Sequence, residues 1–292
     1  LSVTVTDPAG NTGPASSAIS FNIDLTAPEA ATGLQLSNNE GSTPLAITEG
    51  GVTNDLTPVL SGAAGSAEPG STVSVYDNDG PAPLGTAIVG ADGSWTFTSP
   101  ELAAGDHSLT VTLTDPAGNV GAASEPFTFT VDVTPPAEAA DVSLNNDDGL
   151  AIADGDATND TTPTLSGSAE EGSTVTISDG TTVLGTVIVE AGGAWTYTTP
   201  ALSEGDHSLT ATVTDPAGNV SAPSAPIGFT VDTTAPAAAT TVVLSNDSSG
   251  TPVAITNGVT NDNTPVLSGS AELGSTVTGL DNGAEIGTAT VD

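Results

Sequence analysis

Gly105-Asp-His-Ser-Leu-Thr-Val-Thr-Leu-Thr-Asp-Pro-Ala-Gly-Asn119 and Gly205-Asp-His-Ser-Leu-Thr-Ala-Thr-Val-Thr-Asp-Pro-Ala-Gly-Asn219 are two copies of one pattern. From His107 to Thr114 polar and apolar residues alternate, so Leu109, Val111 and Leu113 point to one face of an extended chain and the threonines to the other. The run then stops at Asp-Pro-Ala-Gly-Asn, a tight turn with Pro preset at its second position and Gly free to take positive φ. A half-buried strand ending in a turn is the unit from which the rest of the chain is read.

Working outward, three marks recur in step. Asp-Pro-Ala-Gly-Asn begins at Asp7, Asp115 and Asp215, and a strand ending Val/Ile-Asp before Thr-x-Pro reaches Asp24, Asp132 and Asp232. Asn-Asp-x-Thr-Pro begins at Asn54, Asn159 and Asn261, so the period is 100 to 108 residues. That length fits one small β-sandwich and is far too long for a solenoid turn. Apolar/polar alternation recurs in Phe127-Thr-Phe-Thr-Val131, Gly, Pro, Asn and Asp cluster between the runs, and no window holds a helical period over three turns. The chain therefore reads as all-β: tandem immunoglobulin-like Greek-key β-sandwich modules joined end to end.

The boundaries follow from the marks. Residues 25–132 and 133–232 read as complete modules, 1–24 as the last two strands of another, and 233–292 as a module lacking its last three strands. Neither end piece can close a sandwich alone, so the expectation is a longer array or completion by another chain. For 133–232 the strands are read at 163–168, 173–178, 183–189, 194–199, 207–214 and 227–231, with a leading strand near 141–144 and an ill-defined stretch near 151–157. Trp95 and Trp195 occupy matching positions and read as core anchors rather than sugar platforms.

Composition narrows function. The 292 residues contain 36 acidic side chains and no Lys or Arg, for a formal net charge of -36. Nucleic acid and anionic membrane surfaces need basic side chains to displace counterions, so neither is a partner. No stretch is apolar enough to cross a bilayer as a helix. Cys is absent, which excludes disulfides and thiolate metal sites. Every carboxylate must be solvated, bonded to N–H groups or neutralised by a cation from solution.

Strand parity places those carboxylates. If successive strands run antiparallel, the turn at Glu170, the turn at Asp215 and the start of the leading strand share one end of the sandwich, which brings Asp132, Glu170 and Asp215 to one junction. The previous junction repeats the set as Asp24, Glu68 and Asp115, and the next begins it with Asp232 and Glu272. Clustered carboxylates without a basic partner suit Ca²⁺, a hard cation that takes oxygen ligands. Asn119 and Asn219 either add an amide oxygen or fix the turn by an Asx bond. The competing reading is a tight turn with no ion. A second acidic set, Asp55, Asp160 and Asp262, falls at the opposite end of each module near Asp77 and Asp179, where hairpin turn chemistry is the stronger explanation. Acidic surfaces of this kind also keep salt-adapted proteins soluble, an explanation that needs no specific sites.

Catalysis finds no footing. Asp106-His107-Ser108 and Asp206-His207-Ser208 are triads only in letters, because neighbours along a strand point to opposite faces. No phosphate loop, nucleophile elbow or zinc spacing occurs, so the chain reads as a non-enzyme.

On Thr-Asp-Pro-Ala-Gly-Asn, Val-Asp-x-Thr-x-Pro, Asn-Asp-x-Thr-Pro-x-Leu-Ser-Gly and Gly-Asp-His-Ser-Leu-Thr, the chain resembles the bacterial immunoglobulin-like repeats of giant RTX-type adhesins exported by type I secretion. The resemblance spans the whole sequence. It implies folding outside the cell, calcium at module junctions, and an extender that holds a distal adhesive domain away from the bacterial surface. Loop lengths differ between modules, as in Tyr76 to Leu84 against Ser178 to Leu184, so the joints need not be equally stiff. The alternative is that modules themselves bind a glycan, ice or a host protein. Ice would need a flat Thr array and glycan exposed aromatics, whereas aromatics make up 3% of residues.

Overall fold

The alternating run at His107 becomes a ten-residue strand whose Leu109, Val111 and Leu113 are all at most 1% exposed. Around it a computed structural model, describing residues 1–39, 44–248 and 250–292, builds β1 (Leu34–Ser37), β2 (Ala46–Ile47), β3 (Gly51–Thr53), β4 (Val59–Gly62), β5 (Thr72–Asp77), β6 (Gly85–Ile88), β7 (Trp95–Thr98), β8 (Gly105–Thr114) and β9 (Phe127–Val131). These form a four-stranded sheet, β2-β1-β4-β7, and a five-stranded sheet, β3-β9-β8-β5-β6. The next repeat gives β10 (Ala140–Asn145), β11 (Ala151–Ile152), β12 (Asp156–Thr158), β13 (Thr164–Ser168), β14 (Thr174–Asp179), β15 (Thr182–Ile188), β16 (Ala194–Thr198), β17 (Gly205–Thr214) and β18 (Ile227–Val231). They pair in the same two orders, β11-β10-β13-β16 and β12-β18-β17-β14-β15. No helix occurs among the described residues, and the chain is all-β with tandem immunoglobulin-like modules of about 100 residues.

Two points of topology were not foreseen. The stretch near 151–157 splits into β11 and β12, which lie in different sheets, and β12 runs parallel to β18 rather than antiparallel. Gly155, at φ 89°, lies in the turn that carries the chain across. Near the start of β10 and of β19 (Thr240–Asn246) the register against the partner strand shifts, and Asp141 and Thr241 there take φ of 52° and 48° where the first module has Gly33 at 63°.

Each sandwich has its own closed core. Leu36, Leu60, Val73, Val75, Trp95 and Phe129 pack in the first, and Leu144, Leu165, Val175, Ile177, Trp195 and Phe229 in the second. Both tryptophans are 3% exposed, as core anchors should be. The Gly of each Leu-Ser-Gly mark makes room for them: a Cβ on Gly62 would meet Trp95 Nε1 at 2.3 Å, and one on Gly167 would meet Trp195 Cζ2 at 2.7 Å. Residues 233–292 hold β19, β20 (Val253–Ala254), β21 (Val266–Ser270), β22 (Thr276–Asp281) and β23 (Ala284–Thr290). These match β10, β11 and β13–β15, so Leu244 and Leu267 are 42% and 51% exposed where Leu144 and Leu165 are buried. The apolar side chains of residues 1–24, Val3, Val5, Phe21 and Ile23 among them, are likewise exposed.

Candidate functional site: the module junction

The turn closing β17 is held from inside by its own aspartate. Asp215 Oδ1 accepts from the Gly218 and Asn219 amides at 2.8 and 2.9 Å, and Oδ2 accepts from Asn219 Nδ2 at 2.9 Å. Asp115 does the same with the Ala117 and Asn119 amides and Asn119 Nδ2, at 2.9, 2.8 and 2.8 Å. Asp7 repeats it with Asn11. The Asn119 side chain, then the turn amides, hold the Asp115 carboxyl below the usual carboxylate range; the Asn11 side chain does so for Asp7.

The asparagine then reaches across the junction. Asn219 Nδ2 also donates to the main-chain carbonyl of Asp132 at 2.8 Å, and Asn119 Nδ2 to that of Asp24 at 3.2 Å. Asp132 is held from the other side too, because its N–H donates to Thr53 O at 2.8 Å within its own module. Its carboxylate stays with the linker, Oδ1 accepting from Thr134 N at 2.9 Å, as Asp24 does with Thr26 and Asp232 with Thr234. Parity reasoning thus brings Asp132 and Asp215 to one junction, but through a carbonyl and an amide rather than as paired carboxylates. Glu170, Glu68 and Glu272 are exposed. Among the described residues no three His, Asp or Glu side chains stand together as a metal-holding group.

The second acidic set forms brackets. Asp55 is 2% exposed, with Oδ2 accepting from Asn39 N at 2.7 Å and Oδ1 from Thr57 N at 2.8 Å. Asp160 takes Asp147 N and Thr162 N, and Asp262 takes Asp247 N and Thr264 N. The Thr264 and then the Asp247 amides hold the Asp262 carboxyl low. Each bracket ties the loop after the leading strand to the Asn-Asp-x-Thr-Pro loop, and in doing so fixes the residue just before it. In the first module that residue is Asn54, whose N–H donates to Ala217 O of the next module at 3.0 Å. The acidic sets lie at opposite ends of one module, yet end-to-end stacking puts one module's second loop against the next module's turn.

At the far end of each five-stranded sheet sits the module's single histidine. His207 Nδ1 lies 2.7 Å from Asp179 Oδ2 and Nε2 lies 2.9 Å from Ser203 O. His107 repeats this with Asp77 Oδ2 at 2.7 Å and Ala103 O at 2.8 Å, stacked on Phe129. Both nitrogens of His207 face acceptors, an arrangement only the doubly protonated ring satisfies. Burial works to lower the His207 pKa, but the Asp179 and Ser203 bonds and the Asp179 and Asp206 charges outweigh it and raise it. Asp106 and Asp206 turn outward instead and accept from Thr130 and Thr230 Oγ1 at 2.7 Å, as face parity requires. The His–Asp pair was not legible in sequence, since its partners are 30 and 28 residues apart.

A family model described as "Bacterial Ig-like domain" matches residues 34–133 and again 134–233. Among solved structures, fibronectin(III)-like modules of Clostridium thermocellum CbhA are 18% identical, cover 64% of this chain and 90% of that one, and give a TM-score of 0.39. A BSP domain of a biofilm associated protein is 26% identical over 64% of this chain and 30% of that one, with a TM-score of 0.25. A tetra-tandem repeat from the extending region of a large adhesion protein is 22% identical over 91% of this chain and 68% of that one, also with a TM-score of 0.25. No curated protein matches the chain.

Proposed function

Because this chain belongs to the bacterial Ig-like domain family and carries two tandem copies of that domain, we propose that it is a segment of the extender region of a bacterial cell-surface adhesin. It works outside the cell as a non-enzymatic stalk that holds a distal adhesive domain away from the surface, in a protein of the RTX, type I-secreted kind. The observation that carries this reading is the joint, in which motifs that recur in every module bond one module to the next through Asn219, Asp132, Asn54 and Ala217. Buried tryptophans speak against glycan binding on the modules, because the aromatic faces that would stack on sugar are in the cores.

Calcium is the proposed counter-ion. The junctions offer carboxylate, carbonyl and amide oxygens and no thiolate, which suits a hard cation, and no Lys or Arg competes for them. The open groups are the exposed carboxylates of Glu68, Glu170 and Glu272 and the outer oxygens of Asp24, Asp132 and Asp232. Asp115 and Asp215 also shape the turn, and Asp55, Asp160 and Asp262 the brackets, through carboxylate oxygens that accept backbone amides, while Asn119 and Asn219 donate through Nδ2 and leave Oδ1 for an ion. A bound ion would supply positive charge at a joint where every charged side chain is negative, adding stability and further stiffness to the contact its hydrogen bonds already make.

The test is thermal unfolding in calcium and then in chelator at constant ionic strength. The expected result is a higher melting point in calcium that is lost in Asp132→Ala with Glu170→Ala. A melting point that follows total salt and ignores calcium would make the acidic surface a solubility device.

A further inference from the structure

We propose that the Asp-Pro-Ala-Gly-Asn turn and the Asn-Asp-x-Thr-Pro loop are the two halves of one docking joint, which fixes successive modules without a metal ion. The partner of each turn is the preceding module of the same chain. This deepens the extender reading and rests on it.

Two junctions within the chain share the turn but differ in what stands against it, and the comparison shows the contact. The turn of the first module faces residues 1–24, which contain no Asn-Asp-x-Thr-Pro loop, whereas the turn of the second faces the complete module that carries Asn54. The turn itself is the same, with Gly118 and Gly218 at φ 95° and 102°. Yet Ala117 is exposed and Asn119 half-buried, while Ala217 and Asn219 are each 9% exposed. A Cβ on Gly118 would meet nothing within 4 Å, but one on Gly218 would lie 3.3 Å from the Asn54 side-chain amide. The Asn219–Asp132 bond also tightens, at 2.8 Å against 3.2 Å for Asn119–Asp24. The preceding loop therefore covers the turn, and glycine is what lets it come so close.

The bonds across the joint join neutral groups: Asn219 Nδ2 to Asp132 O, and Asn54 N to Ala217 O. Asp132 is the shared pivot, since its N–H is spent on Thr53 O in its own module and its carbonyl on Asn219 in the next. The carboxylates of Asp55 and Asp215 act one step back, shaping loop and turn through backbone amides. Among the described residues no charged pair spans the two modules, so salt and chelator leave these bonds in place.

The chain has no cysteine, so Thr96→Cys and Thr196→Cys, both on exposed strand positions, place one spin label in each module. Pulsed dipolar spectroscopy on the full chain in chelator then reads the distance distribution across the joint. The wild type should give a narrow distribution, Asn219→Ala a broad one, and Asn119→Ala, which loses the same bond within its turn but no bond at this joint, a narrow one. Should Asn219→Ala unfold the turn, Gly218→Val against Gly118→Val makes the same comparison, since both carry the same backbone strain. A wild-type distribution that is broad in chelator and narrows only with calcium overturns the proposal and leaves a calcium-stiffened extender standing. Equal widths for Asn219→Ala and Asn119→Ala overturn it as well. A narrow distribution whose mean places the two modules side by side would keep a fixed joint and overturn the extender reading.

Discussion

Gly167→Ala tests how tightly each module is built. The added methyl would sit 2.7 Å from Trp195 Cζ2, 3.0 Å from Cε2 and 2.9 Å from Ala140 O, where carbon contacts normally begin near 3.5 Å. Trp195 is 3% exposed and Ala140 O belongs to the neighbouring strand, so neither can retreat without disturbing the core or a sheet. Overpacking of this kind costs about 1–3 kcal/mol. In a module of about 100 residues that lowers the melting temperature by roughly 5–20 °C. Trp195 Nε1 is buried without a hydrogen-bond partner among the described residues, so Trp195→Phe gives up no bond and removes the ring edge that clashes. The double variant should therefore be less destabilised than the sum of the singles, by about 1 kcal/mol or more. Calorimetry of the second module's transition measures all three. A loss under about 0.5 kcal/mol, or strict additivity, would refute the claim that this glycine exists to seat the tryptophan.

Three further outcomes follow from the same geometry. The raised His207 pKa means that its contribution is complete below the unfolded value of about 6.5 and is lost as pH rises through the folded one. The second module's melting point should thus fall between mildly acidic and alkaline pH, and Asp179→Asn should flatten that slope; an unchanged slope would sink the pairing. Asp141→Gly should stabilise by about 0.5–1 kcal/mol in urea unfolding, because Asp141 holds a φ of 52° that glycine adopts freely, and a loss of stability would contradict it. Asp160→Ala should cost about 1–3 kcal/mol by stranding the Asp147 and Thr162 amides, and a neutral result would mean water replaces the bracket.

How much was written in the sequence depends on which atoms carry the information. Leu109, Val111 and Leu113 announced the buried face of β8 through period two, and Trp95 and Trp195 announced the cores by size. The junction was legible as a place, since parity put Asp132 and Asp215 at the same end. Its chemistry was not, because the group Asp132 offers to its neighbour is a main-chain carbonyl, which every residue has and no pattern marks. The Asn54–Ala217 bond escaped for another reason: reasoning within one module separates the two loops, and only stacking of two modules brings them together. The parallel pairing of β12 with β18 rests on a three-residue strand, too short to show a period of its own.

In the proposed extender the modules stand end to end as a stalk. Its most direct test is small-angle scattering on residues 25–232, which hold both closed cores, in calcium and in chelator. A module is about 40 Å long from the strand rise, so the expected maximum dimension is about 80 Å in both solutions. A particle near 50 Å, with the modules doubled back on each other, would contradict it.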